Sequence, residues 1–489
     1  MLMLPESSLC IDGVIRPATG NKTYDIISPW TGDVVGRAAD ASVEDVQAAI
    51  ASARRAFDHT DWSTQHEMRF KLMTKYRDVL VANRDTLVLI ARHEAGSALG
   101  AAFRAHVDGA LSGMTALLEV FPSVKWEEDR GRKNEYGFDT ERLVLHEAIG
   151  VAGAITPWNV PLYVNVGKVG SALLAGCTVI LKPAPTTPAM GAIMGELALE
   201  AGIPPGVLNV VTSSDPVIVG ETLVTDPRVD LITFTGSTAV GKRIMEKGAP
   251  TLKRIFLELG GKSANIILED APDFAQTVAR SIVVFHAGQG CATPTRLLVP
   301  RSRYAEAVKI LEMAYAGFAD KWGNFDDPTH VMGPVISKRQ LERVMSYIEL
   351  GKKEGARLLA GGKVRTDLGG GFFIEPTCFV DVRNDMRIAQ EEIFGPVLVV
   401  IPFEDDEDAI RIANDSDYGL GGVVMSADRN RAMRIARRMR AGAISVNGGL
   451  SITGDLPFGG YKHSGVGREW GLEGIEEYLE TKAIGVRVA

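Results

Sequence analysis

Apolar residues recur along the chain in two rhythms, one typical of helices and one typical of buried strands. Near the start, spacings of three and four run from Val43 to Phe57. Ser42 stands immediately before them, and serine is a preferred helix N-cap residue. We therefore predict an amphipathic helix that begins after Ser42.

From residue 149 onward, continuous apolar runs alternate with helical patterns. The runs that predict buried strands cover residues 149–155, 177–182, 206–211 and 231–236. Helices are predicted from Pro161, Pro188 and Ser237. This order is typical of a parallel sheet whose strands are joined by helical crossovers.

A second series of the same kind follows Glu258. Its predicted strands cover residues 264–268, 295–300, 397–403 and 443–447, and a helix is predicted over about 272–286. We therefore expect an α/β protein with two sheet domains. A ligand is expected in the crevice between them, as is usual for α/β folds.

The composition narrows the classes of function. The 489 residues carry 53 Lys and Arg against 61 Asp and Glu, a net charge of −8, without a long basic block, which argues against a nucleic-acid partner. The apolar run at 169–181 is shorter than the roughly 20 residues of a membrane span. The N-terminus lacks the basic region of a signal peptide, so we expect a cytoplasmic protein without a membrane partner.

Four cysteines stand far apart, at positions 10, 177, 291 and 378, and none has the spacing of a zinc site. We expect neither a disulfide framework nor a metal. Cys291 follows two glycines that leave its sulfur open to approach, so it is a candidate nucleophile. The alternative is a cysteine hydrolase that uses no dinucleotide, with His286 as the base nearest in sequence.

Two further polar residues suit acyl chemistry. Glu258 ends an apolar strand before two glycines, where a carboxylate with a raised pKa suits general-base work. Asn159 lies between two prolines, and its amide is a neutral donor for an oxyanion. A strand-end carboxylate and an ordinary turn residue remain the alternatives for these two positions.

Residues 234–243, FTGSTAVGKR, join a predicted strand to a predicted helix through Gly236 and Ser237. The free N–H groups at such a helix start suit a phosphate, although an ordinary βα turn is also consistent. Arg243 stands where a P-loop needs Ser or Thr, which argues against a P-loop nucleotidase.

Six motifs occur together in one order: TPWN (156–159), FTGSTAVG (234–241), LELGGKS (257–263), GQGCAT (288–293), EEIFGPV (391–397) and PFGGYKHSGVGRE (457–469). In this order and spacing the chain resembles the NAD(P)-dependent aldehyde dehydrogenase superfamily. The resemblance covers essentially the whole chain. It implies an α/β fold with a Rossmann-type cofactor domain, an α/β catalytic domain and a small oligomerisation element.

The resemblance assigns the chemistry residue by residue. Cys291 matches the nucleophile that forms a thiohemiacetal and then a thioester, while Asn159 and the Cys291 backbone N–H match the oxyanion donors. Glu258 matches the base that activates water to release the carboxylic acid. Lys168 matches a lysine with a proton-relay role.

The resemblance also implies a dinucleotide site. The matching cofactor-binding positions are Thr156, Trp158, Lys182, Gly236, Ser237, Gly241, Glu392 and Phe394. Pro185 stands where many members carry a glutamate that binds the adenine ribose. Loss of that carboxylate removes a barrier to NADP, although we favour NAD.

The substrate pocket implied by the resemblance is lined by Val160, Val164, Ile452 and Phe458. Gly167 stands where many members carry a bulkier side chain, so the pocket is expected to be roomy. A hydrophobic or aromatic aldehyde is the expected small-molecule partner.

Family architecture implies the domain limits and the assembly. Residues 1–125 and 148–257 would form the dinucleotide-binding domain, 258–473 the catalytic domain, and 126–147 with 474–489 the oligomerisation element. An exposed arm and a C-terminal strand imply a homodimer or homotetramer. A binding module that has kept the fold without catalysis is a further alternative.

Overall fold

Two large sheets form the framework of the chain. The computed structural model describes residues 3–488, and within them one sheet has eight strands and the other seven. A separate three-stranded sheet and two small hairpin-like pairs complete the strand pairing of that part of the chain. The α/β fold with two sheets that the sequence predicts is therefore present.

Within residues 3–488 the strands are, in chain order, β1 (Leu9–Ile11), β2 (Val14–Arg16), β3 (Thr23–Ile27), β4 (Val34–Ala39), β5 (Glu127–Glu135), β6 (Phe138–Ala148), β7 (Val151–Ile155), β8 (Thr178–Lys182), β9 (Leu208–Val210), β10 (Leu231–Thr235), β11 (Arg254–Glu258), β12 (Ser263–Ile267), β13 (Pro294–Pro300), β14 (Arg357–Ala360), β15 (Thr377–Val380), β16 (Val397–Phe403), β17 (Tyr418–Gly419), β18 (Gly421–Met425), β19 (Ala443–Val446), β20 (Tyr461–Lys462), β21 (Gly465–Val466) and β22 (Leu479–Arg487).

The α-helices of the same residues are α1 (Val43–His59), α2 (His66–Ala82), α3 (Arg84–Glu94), α4 (Leu99–Ala101), α5 (Gly109–Val120), α6 (Pro161–Ala175), α7 (Pro188–Ala201), α8 (Pro216–Thr225), α9 (Thr238–Gly248), α10 (Phe274–Ala279), α11 (Tyr304–Phe318), α12 (Lys338–Lys353), α13 (Arg387–Gln390), α14 (Asp406–Asn414), α15 (Arg429–Arg438) and α16 (Gly471–Glu476). A π-helix, Ala102–Asp108, joins α4 to α5.

The eight-stranded sheet has the order β2-β1-β9-β8-β7-β10-β11-β21. Strands β9, β8, β7, β10 and β11 are parallel, and every residue of β7 and of β8 is buried. Helices α6 and α7 are the crossovers that follow β7 and β8, as the alternating pattern predicts. Ser42 caps α1 through a capping box with Asp45, which confirms the first predicted helix.

The seven-stranded sheet has the order β14-β15-β16-β13-β12-β18-β19. It contains all four strands of the second predicted series. The helix predicted over about 272–286 is wrong in length, since α10 covers only Phe274–Ala279. The backbone beyond it turns left-handed at His286 (φ 47°) and Ala287 (φ 51°), which is incompatible with a continuing α-helix.

The third sheet, β22-β6-β5, is antiparallel and stands apart from the two large sheets in strand pairing. Most of β5 and β22 is exposed. Within residues 3–488, no helix combines the length and the apolar character needed to cross a bilayer.

Candidate active site

The predicted catalytic residues lie at strand ends and in loops of the two large sheets. Asn159 follows β7, Glu258 is the last residue of β11, and Cys291 precedes β13. A Cβ at Gly261, between β11 and β12, would collide with the carbonyl oxygen of Cys291, so the two segments are in contact. The carboxyl ends of β7 and β11 and the loop before β13 thus bring the three residues to one region.

The loop that carries Cys291 is fixed by the buried side chain of Gln289. Its Oε1 accepts the backbone N–H of Ile336 at 2.9 Å, and its Nε2 donates to the carbonyl oxygens of His286 and Pro334. Gln289 is fully buried. A side chain that satisfies several backbone groups in this way holds the turn in one conformation.

Asn159 is tied to the same loop. Its Nδ2 donates to the carbonyl oxygen of Gln289 at 2.8 Å, and its side chain is buried. An amide group has a second N–H, and among residues 3–488 the backbone N–H of Cys291 donates to no acceptor. Two neutral donors are thus available beside the sulfur, as an oxyanion site requires.

The Cys291 thiol is partly buried and strongly held in its protonated form. Burial, followed by the negative charges of Glu392 and Glu258, raises its pKa to about 12, while the N–H of Ala292 acts in the opposite direction. The thiol therefore has to lose its proton to a base, or the local charge has to change, before the thiolate can attack.

Glu258 is a buried carboxylate without a hydrogen-bond partner in the described part of the chain. Its pKa is raised well above the ordinary value, first by burial and then by Glu469, while Lys168 lowers it. A Cβ at Gly459 would lie 2.6 Å from its Oε1, so glycine is needed there to leave room. A carboxylate with a raised pKa is a stronger base than an ordinary one, which suits proton abstraction.

Lys168 lies in the interior and makes an ion pair with Glu469 at 3.2 Å. Its Nζ also donates to Oγ1 of Thr233 at 2.9 Å and lies 4.7 Å from the ring centre of Phe256. Burial raises the pKa of Glu469, and Lys168 opposes this rise. The pair places a cation and a carboxylate beside the Glu258 carboxyl group.

The predicted phosphate turn begins at the end of β10. Ser237 caps α9 by accepting the N–H of Val240, and the N–H of Gly236 donates to the carbonyl oxygen of Glu258 at 3.0 Å. Gly241 is buried and faces Leu259, whose Cδ2 would lie 2.7 Å from a Cβ at that position. Gly241 therefore allows close packing of α9, and the turn at Gly236 and Ser237 presents the helix N-terminus.

Two predicted cofactor residues come together at the end of β8. The N–H of Thr156 donates to the carbonyl oxygen of Lys182 at 3.1 Å, and both residues are buried. Burial lowers the pKa of Lys182 to about 8. Among residues 3–488 its Nζ donates only to the carbonyl oxygen of the following Pro183, at 3.3 Å, so it can still donate to a ligand.

Three further predicted cofactor residues are Trp158, Phe394 and Glu392, and the negative charge of Glu392 acts on Cys291. The rings of Trp158 and Phe394 meet edge to face with centres 5.3 Å apart. Glu392 accepts the N–H of Gly261 at 3.0 Å, and burial raises its pKa to about 7. The predicted cofactor positions thus offer a helix N-terminus, a lysine, a carboxylate and aromatic rings, groups that suit a ligand with phosphate, ribose and aromatic parts.

Comparison with known proteins decides the family. The model of the "Aldehyde dehydrogenase family" matches residues 15–484. The chain belongs to the aldehyde dehydrogenase family. A 3-succinoylsemialdehyde-pyridine dehydrogenase of a Pseudomonas species is 40% identical over 483 residues, covering 97% of each chain.

Two solved aldehyde dehydrogenases have the same fold. An aldehyde dehydrogenase of Mycobacterium tuberculosis complexed with NAD+ is 41% identical with a TM-score of 0.93, covering 99% of this chain and 98% of the other. Aldehyde dehydrogenase C of Pseudomonas syringae, solved as a mutant with NAD+ and octanal, is 37% identical with a TM-score of 0.91, covering 98% and 96%. The predicted fold and family are confirmed, and the protein is an NAD(P)-dependent enzyme that oxidises aldehydes to carboxylic acids.

The geometry of this aldehyde dehydrogenase does not favour the hydrolase alternative. The His286 ring packs against the ring of His106, with centres 4.4 Å apart, and no ring nitrogen of either residue has a partner among residues 3–488. Burial lowers the pKa of His286 to about 4. His286 therefore does not activate the Cys291 thiol in the way a hydrolase would require. Arg243, at the position where a P-loop needs Ser or Thr, makes an ion pair with Glu221.

The substrate-pocket residues occupy different depths in the aldehyde dehydrogenase. Val164 and Phe458 are buried, Val160 is half-buried, and Ile452 is exposed. The expectation of extra room at Gly167 is wrong. The indole of Trp470 fills that space, since its Cζ2 would lie 2.9 Å from a Cβ at Gly167.

Three site residues escaped the sequence reasoning, namely Glu469, Gln289 and Trp470. Glu469 and Gln289 lie inside the motifs. No local pattern predicts that Glu469 pairs with Lys168 or that the Gln289 carbonyl oxygen accepts a hydrogen bond from Asn159. Trp470 directly follows the last motif. Trp470 and Gly167 are far apart in the sequence, and no periodic pattern links them. Only the tertiary structure shows that they are in contact.

Proposed function

We propose that the enzyme oxidises a hydrophobic or aromatic aldehyde, with NAD as the preferred hydride acceptor and Cys291 as the nucleophile. The observation that carries this proposal is the grouping of Cys291 with free amide donors and an unpaired, buried carboxyl group. An aldehyde carbonyl beside the sulfur would have its developing oxyanion held by the Asn159 amide and the Cys291 N–H. Loss of one such donor typically costs a factor of about 10²–10³ in rate.

Glu258 is the proposed general base. Within residues 3–488 its carboxyl group makes no hydrogen bond, and its raised pKa makes its carboxylate a stronger base, so it can take a proton from the thiol or from the water that releases the acid. The ion pair of Lys168 with Glu469 provides the neighbouring groups through which that proton can leave. Cys291 regains its proton when the acid departs.

The proposed NAD site uses the cofactor-binding positions that the family resemblance implies. Gly236 and Ser237 at the start of α9 would hold the pyrophosphate, with Gly241 allowing the helix to pack closely. Lys182 and Glu392 would bind the two riboses, and Thr156, Trp158 and Phe394 would position the nicotinamide. When bound, the nicotinamide accepts the hydride that converts the thiohemiacetal to a thioester.

Preference for NAD over NADP is supported by the surroundings of Pro185. The cation nearest in sequence, Lys182, is buried and is already assigned to a ribose, so it is not an additional partner for a 2′-phosphate. Pro185 itself supplies no donor. Without a carboxylate at position 185 the 2′-phosphate of NADP is not repelled, but no group is added that would bind it. We therefore expect NADP to be used less well than NAD.

The proposed substrate is apolar because Val160, Val164, Ile452 and Phe458 offer no charge to a polar tail. The related Pseudomonas syringae enzyme was solved with octanal, an apolar aldehyde. Within residues 3–488 no group of His, Cys, Asp and Glu is placed to hold a metal ion.

The proposed assembly is a homodimer or homotetramer built through residues 126–147 and 474–489. The exposed strands β5 and β22 support it, since each lies at an edge of its three-stranded sheet. We also retain the domain limits 1–125 with 148–257 and 258–473 as a proposal. A cytoplasmic location is supported by the four unpaired cysteines.

A panel of aldehydes assayed with NAD and with NADP tests the proposal. Wild-type enzyme should form acid and reduced cofactor, Cys291→Ala should form neither, and Glu258→Gln should lose at least 10²-fold in steady turnover. Cys378→Ala is the matched control. Cys378 is buried on β15 of the seven-stranded sheet, so this variant should stay active. Acid formation by Cys291→Ala at the wild-type rate would contradict the proposal.

A further inference from the structure

Three glycines leave a gap between two helices beside the active site. Gly109 and Gly113 lie one turn apart on α5, and Gly167 lies on α6. A Cβ at Gly113 would come within 2.7 Å of the Trp470 ring, and one at Gly167 within 2.9 Å. A Cβ at Gly109 would touch the ring of Tyr163 at 3.7 Å.

The indole of Trp470 fills the part of this gap that faces Gly113 and Gly167. Trp470 is among the largest side chains with no exposed surface, and its ring centre lies 4.6 Å from that of Tyr163. The two rings, tilted by 43° to each other, form an aromatic wall between α5 and α6. Residues as closely packed as these transmit a change in volume directly to their neighbours.

Two features argue that Trp470 is kept for its volume. Its indole N–H is buried without an acceptor among residues 3–488, which is unfavourable. Its backbone has φ 67°, a conformation that a bulky residue rarely adopts. Neither hydrogen bonding nor local backbone preference therefore explains a tryptophan at this position.

The wall borders the proposed aldehyde pocket. Val164 and Tyr163 precede Gly167 by three and four residues, so all three share one face of α6. The residue before Trp470 is Glu469, which exchanges two backbone hydrogen bonds of 2.6 Å with the pocket residue Phe458. Trp470 thus lies directly behind two pocket walls.

We propose that Trp470 determines substrate size by filling the space that Gly167 leaves beside the pocket. The enzyme would accept aldehydes that are narrow next to the carbonyl, such as unbranched chains and single rings, and reject fused-ring aldehydes. This inference rests on the proposed function, because it concerns the substrate of the same site.

The test compares kcat/KM for propanal, benzaldehyde and 2-naphthaldehyde, followed by the absorbance of reduced NAD. Trp470→Leu should raise the ratio of 2-naphthaldehyde to propanal at least tenfold, mainly through a lower KM for the larger substrate. Trp470→Phe should raise it less. Trp322→Leu, a buried tryptophan in the core of the other sheet, is the matched control and should leave the ratio unchanged.

Gly167→Ala provides the opposite change. Its added methyl group would press on Trp470, so it should lower the same ratio, and adding Trp470→Leu should reverse that loss. If Trp470→Leu folds poorly, Gly167→Ala and Trp470→Phe still carry the test.

A ratio that stays within twofold in all variants would overturn the inference, as would equal losses for all three aldehydes, which indicate a purely structural role. A wild-type enzyme that reduces NAD with none of the aldehydes would contradict the proposed function instead.

Discussion

At the scale of single residues, the charge next to Cys291 controls how readily its thiol ionises. The Glu392 carboxylate is the largest charge that raises the pKa of Cys291, and its own pKa is about 7. Replacement by an uncharged amide in Glu392→Gln should therefore lower the thiol pKa and increase the thiolate fraction. We expect alkylation of Cys291 by iodoacetamide at pH 8 to become up to about tenfold faster.

The same comparison should show no acceleration below pH 6, where the Glu392 carboxyl group of the wild type is already neutral. Glu391→Gln is the matched control, because Glu391 bonds instead to Arg387 and Tyr347 on the surface. Equal alkylation rates for wild type and Glu392→Gln at pH 8 would show that burial alone sets the thiol pKa.

The buried pair of His106 and His286 should make the fold sensitive to acid. Burial lowers the pKa of both rings, to about 4 for His286, whereas unfolding returns them to about 6.5. The unfolded chain therefore binds more protons between these values. Their contribution to stability is fully present above pH 6.5 and falls as pH drops toward 4, by up to about 1.4 kcal/mol per pH unit for each ring.

Urea unfolding between pH 7 and pH 5 measures this slope. His106→Leu removes one of the two protonation sites and should make the fall shallower. His59→Leu, at the exposed end of α1, should retain the wild-type slope. Identical slopes for wild type and His106→Leu would place the acid sensitivity elsewhere.

At the scale of elements, the loop between β8 and α7 should select between the two cofactors. Pro185 is half-buried there, close to Lys182. Pro185→Glu would add a carboxylate that repels a 2′-phosphate and accepts ribose hydroxyl groups. We expect kcat/KM with NADP to fall about 10- to 100-fold while that with NAD is unchanged or higher.

Thr186→Glu, which places the same charge on the exposed neighbouring position, is the control and should affect NADP less. Equal losses with both cofactors in Pro185→Glu would indicate a distorted loop and would contradict the proposed role of this position.

Elements with strong local patterns were predictable, and those that depend on distant contacts were not. The capped helix α1 and the continuous apolar strands β7, β8 and β10 follow from periodicity alone. The short α10 does not, because the N–H of His286 bonds to the carbonyl of Val331, far along the chain, and the loop is bent to reach it. Tertiary contacts there override the helical pattern.

At the scale of the whole molecule, strand β22 pairs with β6 along one edge and pairs with no strand of residues 3–488 along the other. It pairs with β6 so that Ile484 faces Leu143 and Gly485 faces Arg142. Successive N–H groups of a strand point to opposite edges. In Ile484→Pro and Gly485→Pro, proline removes N–H groups that point to opposite edges of β22. The variant that loses a hydrogen bond to β6 should have a lower Tm. The variant that loses an N–H on the other edge should have a lower oligomer mass with little change in Tm.

Light scattering and thermal unfolding of both variants, beside wild type, give the two readouts. An unchanged mass for both prolines would argue against assembly through this edge. The sequence indicates this arm by its resemblance to a family, whereas its free edge is visible only in the strand order.

The catalytic assignment shows the same division. Cys291, Glu258 and Asn159 were identified from motifs, because each stands in an unusual local setting of glycines or prolines. Glu469 and Trp470 were not, since their importance lies in side chains that approach from a distant part of the chain, Lys168 and Gly167.

Strand β21 joins the edge of the eight-stranded sheet although it comes from the far end of the chain. Gly465 pairs with Glu258 and Val466 with Leu257, so the strand that carries the base is completed by a late segment. A nascent chain cannot finish this sheet until almost all of it has left the ribosome. A fragment that ends after β11 would leave the edge of β11 unpaired and prone to aggregation. We therefore expect that the chain cannot be divided there into two halves that fold independently.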